Sequence, residues 1–123
     1  MAVATPFDKH QNEKLKEYLE AHGLKVAAID GLGAPLEEIA FLPSDKSYKL
    51  ALDVVRRGGN GVDGIYLPCA QWPHPVENIA LLESDTELPV VTSLQAMLWY
   101  CLRKLGIRDK VEGFGKLFEI DAV

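Results

Sequence analysis

The chain has 123 residues, 48% hydrophobic and 25% charged, with a formal net charge of −5. That size suits one domain with a real core, and the composition belongs to a compact soluble protein rather than a disordered one. The acidic balance argues against nucleic acid or an anionic membrane as the main partner, and no apolar run approaches the ~20 residues of a membrane span.

Ala2-Val3-Ala4-Thr5 reads as a short buried strand closed by Pro6. Asp8 stands at an N-cap position with Gln11 three residues on, the spacing of a capping box. Leu15, Tyr18, Leu19 and His22 recur at helical spacing, and Gly23 supplies the stop. Lys25 to Ile29 predicts a second strand ended by Asp30-Gly31. From Gly31 to Pro43 the chain reads as a loop, broken by Gly33 and Pro35. Ser44 is the expected cap of a second helix, whose apolar face carries Tyr48, Ala51, Leu52 and Val55 and which Gly58-Gly59 ends.

Gly64 to Cys69 is apolar without alternation, as expected of a strand covered on both faces. Pro75 suits the first turn of a helix carrying Val76, Ile79, Ala80 and Leu82. A fourth strand is predicted from Pro89 to Thr92. Ser93 is the expected cap of a strongly apolar helix with Leu94, Met97, Leu98, Cys101, Leu102 and Leu105, stopped at Gly106. In the tail, Phe114, Leu117 and Phe118 mark a short docking segment.

Four strands alternating with helices require right-handed crossovers and a parallel sheet. The expected architecture is therefore one three-layer α/β domain over residues 1–123, its four-stranded parallel sheet in the order 2-1-3-4 and flanked by helices. In such a sheet the ligand crevice lies beyond the carboxyl ends of the first and third strands. Phe7 and Cys69 stand just past those two ends.

Cys69 is the foremost candidate for chemistry. The loop Cys69-Ala70-Gln71-Trp72-Pro73-His74 brings backbone N–H groups and a following helix start close to the sulfur. Such donors suit a nucleophilic thiol and can hold a carboxylate or a developing enolate. The competing reading makes Cys69 a small buried hydrophobe. Thr92 and Ser93 place two hydroxyls at the end of the fourth strand, within reach of the same rim; Ser93, first of all a cap, is also suited to bind a carboxylate. Cys101, on the apolar stripe of the last helix, is expected to pack in the core. His74 reads as a helix cap or an exposed loop residue ahead of an acid/base partner, while His10 and His22 are expected at the surface and Trp72 and Trp99 in packing.

Several signatures are missing from the sequence. There is no G-x-x-x-x-G-K-[ST] loop, no G-x-G-x-x-G after the first strand and no G-x-S-x-G elbow. Gly58-Gly59-Asn60-Gly61 precedes a strand rather than a helix and is a turn. Two cysteines without close His or Cys spacing do not make a structural zinc site, so no metal is expected, and nucleotide binding has no motif behind it. With no secretory leader pattern, the expected compartment is the cytoplasm and both thiols are expected reduced.

Asp63-Gly64-Ile65-Tyr66-Leu67-Pro68-Cys69, then Glu83, and then Pro89-Val90-Val91-Thr92-Ser93-Leu94-Gln95-Ala96-Met97-Leu98-Trp99 together resemble the C-terminal half of one superfamily. It is the aspartate/glutamate racemase superfamily, in its arylmalonate decarboxylase and maleate cis-trans isomerase branch. Ala4-Thr5-Pro6-Phe7 with Asn12, and Gly113-Phe114-Gly115-Lys116-Leu117, are similar to that branch as well. The resemblance implies cofactor-independent chemistry next to a carboxylate, performed between two similar α/β halves, with Cys69 giving or taking a proton at the α-carbon. It also implies that the backbone at Ala70 and Gln71 helps hold the carboxylate or its oxyanion.

The departures from the family pattern are specific. One half is present; Phe7 stands where a tyrosine hydroxyl usually supports the oxyanion, Ala70 where a threonine commonly follows the cysteine, and Pro73-His74 in place of an Arg-Thr pair. Losing one oxyanion donor costs about 3–4 kcal/mol of barrier. The expected function is a cysteine-dependent racemase, isomerase or decarboxylase acting on a small carboxylic or dicarboxylic acid, with Phe7, Ala70, Gln71, Thr92 and Ser93 around the substrate. The second half would come from a homodimer partner or another polypeptide. The alternatives are a carboxylate-binding module without catalysis and an orphan domain whose apolar last helix and tail need another surface.

Overall fold

The computed structural model describes residues 1–121. Four short strands, β1 (Ala2–Thr5), β2 (Ala28–Gly31), β3 (Ile65–Leu67) and β4 (Val90–Thr92), form one parallel sheet in the order β2-β1-β3-β4. Their register sets Ala2 opposite both Ala28 and Ile65, and Ile65 opposite Val90. The second strand thus begins three residues later than the sequence pattern suggests. It takes in Asp30 and Gly31, because pairing with β1 continues to Thr5.

Alternation assigns the two faces of the sheet. On one, Ala2, Ala4, Ile65, Leu67 and Val90 join Ile39, Ala51, Val54, Trp72, Ile79 and Leu82 in the main core. This face is covered by α2 (Ser44–Gly58) and α3 (Ile79–Thr86). The deeply buried positions of α2 are Ser47, Ala51 and Val54, with Tyr48, Leu52 and Val55 half-buried, so the inward stripe is turned slightly from the expected one. A serine is tolerated at its centre because the Ser47 hydroxyl donates to the Ser44 carbonyl and accepts from Asn78 Nδ2. Ser44 itself is the first helical residue, and Pro43 occupies the cap.

Helix α1 (Lys9–Ala21) lies on the opposite face. Its Asp8/Gln11 capping box forms as expected, satisfying two orphan amides, and Asn12 and Leu19 are its buried residues. Within the expected loop, Leu36–Phe41 forms a 3₁₀ turn that buries Ile39. His74–Asn78 is another, leading into α3. At the end of α2, Arg57 bonds Asp53 one turn back and reaches Asp30 of β2 at 2.8 Å. The Arg57 hydrogen bond holds the Asp53 carboxyl below its ordinary value.

Helix α4 (Ser93–Lys104) departs most from expectation. Its buried residues are Gln95 and Arg103, whereas Met97, Leu98, Cys101 and Leu105 are exposed. Cys101 is thus a surface thiol rather than a core residue. The tail docks as expected: Phe118 is buried in a 3₁₀ turn, Lys116–Glu119, that lies against α4 and β4. Among the described residues no helix is long and apolar enough to cross a membrane.

Candidate active site

The chain order reverses between β1 and β3, and Phe7 and Cys69 stand just beyond those neighbouring strand ends. Strand β3 stops at Leu67, after which Pro68 has no N–H to extend the ladder. Cys69 then adopts a φ of 97°, a conformation that side chains other than glycine's rarely take. Strain of this kind costs about 1–3 kcal/mol and persists only where neighbours enforce it. Two contacts do so. The Cys69 amide donates to Ser93 Oγ at 2.9 Å, and its carbonyl accepts from the Trp72 amide at 3.1 Å.

This tight turn leaves Ala70 and Gln71 exposed, with no protein acceptor for either amide among the described residues. Two adjacent, unengaged N–H groups beside a half-buried thiol are the arrangement that binds a carboxylate or an oxyanion. Cys69 packs against the main core and is half-buried as a residue.

Ser93 and Thr92 exchange their expected duties. The cap of α4 is Thr92, whose hydroxyl accepts from the Gln95 amide while the Gln95 side chain accepts from the Thr92 amide. Thr92 is buried by this capping box. Ser93, half-buried in the first turn, is freed from capping; it braces Cys69 and keeps its own hydroxyl proton for a further acceptor.

Phe7 is positioned through its backbone. Its amide donates to Thr5 Oγ1 at 3.1 Å, and the Thr5 hydroxyl donates to Asn12 Oδ1 at 2.5 Å. Its carbonyl accepts from Gly33. The sequence pattern alone did not single out this Thr5–Asn12 link; a threonine ending a strand and a polar residue on the buried side of the next helix are its signal. Phe7, Asn12, Gly31 and Gly33 line a groove of about 490 Å³ on the α1 side. Trp72 is buried as expected, and its indole N–H has no hydrogen-bond partner among the described residues. His74 is half-exposed and its Nδ1 lies 2.9 Å from Glu77, while His10 and His22 are at the surface. Among the described residues no three His, Cys, Asp or Glu side chains gather closely enough to hold a metal ion.

The turn carrying Cys69 is thus open. Grooves of the surface lie elsewhere, one of about 510 Å³ running along Leu19, Leu24, Tyr66 and Val91. The described residues form one side of the rim at Cys69 and no wall opposite it.

Known proteins share this architecture. A crystal structure of arylmalonate decarboxylase superimposes with a TM-score of 0.83 at 28% identity, over 96% of this chain and 52% of its own length. The Nocardia farcinica maleate cis-trans isomerase carrying a covalently bound succinylcysteine intermediate gives 0.88 at 24% identity, over 98% and 49%. The maleate isomerase of Pseudomonas putida gives 0.88 at 24%, over 98% and 48%. The chain therefore spans about half the length of the solved structures it matches. No curated protein sequence matches it. The family model described as arylmalonate decarboxylase aligns with residues 1–118, in keeping with the resemblance carried by Asp63–Cys69 and Pro89–Trp99. On that match, across nearly the whole sequence, the chain belongs to the arylmalonate decarboxylase family.

Proposed function

We propose that residues 1–123 fold as one unit equivalent to the second half of a two-domain enzyme, and that this unit supplies the thiol-bearing wall of a cofactor-independent active site. The substrate is a small carboxylic or dicarboxylic acid, and the chemistry is racemisation, isomerisation or decarboxylation at the carbon next to a carboxylate. The observation that carries this reading is the Cys69 turn: a strained cysteine braced by Ser93, followed by two unengaged amides at the β1/β3 rim.

In this reading the Ala70 and Gln71 amides and the Ser93 hydroxyl donate to the retained carboxylate. Phe7 bounds the site and Thr92 holds Ser93 in place through the α4 cap. In a decarboxylation the bond to one carboxylate breaks, CO₂ leaves, and the electron pair spreads into the other carboxylate as an enediolate. Cys69 S–H then delivers its proton to the carbon, and the resulting thiolate is reprotonated from water. The donors favour the enediolate over the ground state because its charge is more localised on oxygen. A free thiol in this role fits a reducing compartment, the cytoplasm. The opposing wall comes from a second copy or from another polypeptide.

The test is proton NMR in deuterated water with the full chain and, as probes, an arylmalonate and maleate. Turnover or deuterium incorporation at the α-carbon is expected, falling on the order of 10²- to 10⁴-fold in Cys69→Ala. Equal behaviour of the two proteins, with circular dichroism showing both folded, overturns the proposal. Phe7 and Ala70, which lack side-chain hydroxyls, favour a second reading as a non-catalytic carboxylate binder; binding by calorimetry without any exchange is its signature.

A further inference from the structure

Strand β4 is an edge of the sheet, so among the described residues no strand pairs with its outer side. Two side chains take that place. Glu83, from α3, accepts from the Val90 amide at 2.9 Å. Gln95, in the first turn of α4, is 2% exposed and uses both ends of its carboxamide. Its Oε1 accepts from the Thr92 amide at 2.9 Å, and its Nε2 donates to the Val90 carbonyl at 3.3 Å. Both side chains also hold the tail. The Lys116 amide donates to the two Glu83 carboxylate oxygens at 3.1 Å, and Gln95 Nε2 donates to the Phe114 carbonyl. A carboxylate and a carboxamide thus stand between β4 and residues 114–116 and make the bonds that a fifth strand would make.

Gly115 is the seat of this bridge. Its φ is +89°, and a Cβ there would lie 2.8 Å from Gln95 Nε2, 2.9 Å from Ile79 Cγ2 and 3.0 Å from Glu83 Oε2. A second contact ties the tail to the same region. Phe114 and Phe118 share one groove, of about 270 Å³, with Gln95 and with Pro73 and Val76 of the segment that follows Cys69.

The consequence falls on Cys69. Its positive φ persists only while neighbours enforce it, and one of them is Ser93 Oγ. Ser93 follows Thr92 with no residue between strand and helix, so what fixes Thr92 fixes Ser93. We propose that Gln95 is a positioning residue for the Cys69 turn and that the seated tail regulates the turn through it. With residues 114–116 docked, Glu83 and Gln95 hold the end of β4, and Ser93 keeps the cysteine at its strained φ. With the tail released, the turn relaxes and the Ala70 and Gln71 amides lose their aim. This regulation rests on the proposed function for its purpose, though its test does not.

The experiment is amide hydrogen exchange read by NMR on the full chain, without substrate, for the wild type, Gly115→Ala and Gln95→Met. Gly115→Ala leaves the carboxamide and the Thr92 cap chemically intact and unseats the tail; Gln95→Met keeps the volume and removes the bridge. In both, the Cys69 amide is expected to exchange about tenfold faster, the effect of losing one or two hydrogen bonds, while the buried Val3 and Ala4 amides of β1 keep their rates. The Phe118 amide, which donates to the Gly115 carbonyl, reports on the tail and is expected to speed up in Gly115→Ala. Should Gln95→Met fail to fold, Gly115→Ala decides alone. A Cys69 amide that keeps its wild-type rate overturns the proposal, and so does a Phe118 amide unchanged in Gly115→Ala. Equal acceleration at Val3 and Ala4 overturns it as well, because the whole fold has then weakened. Since no turnover is read, failure here leaves the Cys69→Ala activity test standing, and failure there leaves this coupling standing.

Discussion

Arg103→Met is expected to unfasten the C-terminal tail and lower stability by about 3 kcal/mol. The Arg103 side chain is wholly buried, and its nearest carboxylate, that of Asp121, is 3.9 Å away. Its charge is met instead by backbone dipoles. Nε bonds the Ile120 carbonyl, one terminal nitrogen bonds Ile107, and the other bonds Asp109 and Phe118, at 2.8–3.2 Å. The guanidinium also lies 5.6 Å from the Phe118 ring centroid. Methionine keeps the volume but leaves the Ile107, Asp109 and Phe118 carbonyls without this donor, that of buried Phe118 with least access to water, while the Ile120 carbonyl keeps the Trp99 indole N–H. Arg103→Lys should recover only a fraction, because an ammonium cannot reproduce the fork. Urea unfolding measures the loss, and limited proteolysis should show cleavage within residues 107–121 before the sheet opens. Unchanged tail protection would show that Arg103 is not the clasp.

Gly31→Ala is expected to cost about as much, near the top of the 1–3 kcal/mol usual for overpacking. A Cβ at Gly31 would stand 2.1 Å from the Phe7 carbonyl oxygen, 2.6 Å from Asn12 Nδ2 and 2.7 Å from Thr5 Oγ1. The closest atom is backbone and is itself held by the Gly33 amide. Relief therefore requires β1 and β2 to part at the end that leads into Phe7. Gly33→Ala is the control. There the space is open but φ is +63°, so conformation alone opposes a side chain, at about 1–2 kcal/mol. Thermal denaturation of the two variants should rank Gly31→Ala as the more damaging; the opposite ranking would mean that the β1/β2 end is more pliant than its packing indicates.

The sheet order was legible because four apolar segments alternating with helices leave few right-handed topologies, and the Asp8/Gln11 box was legible because its spacing is local. The cap of α4 is Thr92 rather than the expected Ser93, for a local reason. Thr92 and Ser93 are adjacent hydroxyls, and only the glutamine three residues after Thr92 tells them apart, a capping-box signature present in the sequence. Periodicity found the stripe of α4 but not what covers it, since spacing defines a face and not its neighbour. Nor does any residue type announce the positive φ of Cys69; its turn is imposed by Ser93, 24 positions away. Of the candidate site, Cys69, Ala70, Gln71 and Ser93 do meet at one turn, Phe7 enters from the adjoining strand end, and Thr92 lies beneath as the cap.

The central claim is that one turn presents a sulfur atom together with free amide donors for a carboxylate. Competitive alkylation addresses it most directly, with iodoacetate set against neutral iodoacetamide and Cys101 serving as the internal reference thiol. The claim predicts that iodoacetate, relative to iodoacetamide, favours Cys69 over Cys101, and that a small dicarboxylate suppresses this preference. A Cys69 that shows the same reagent preference as Cys101, with or without the dicarboxylate, would contradict it.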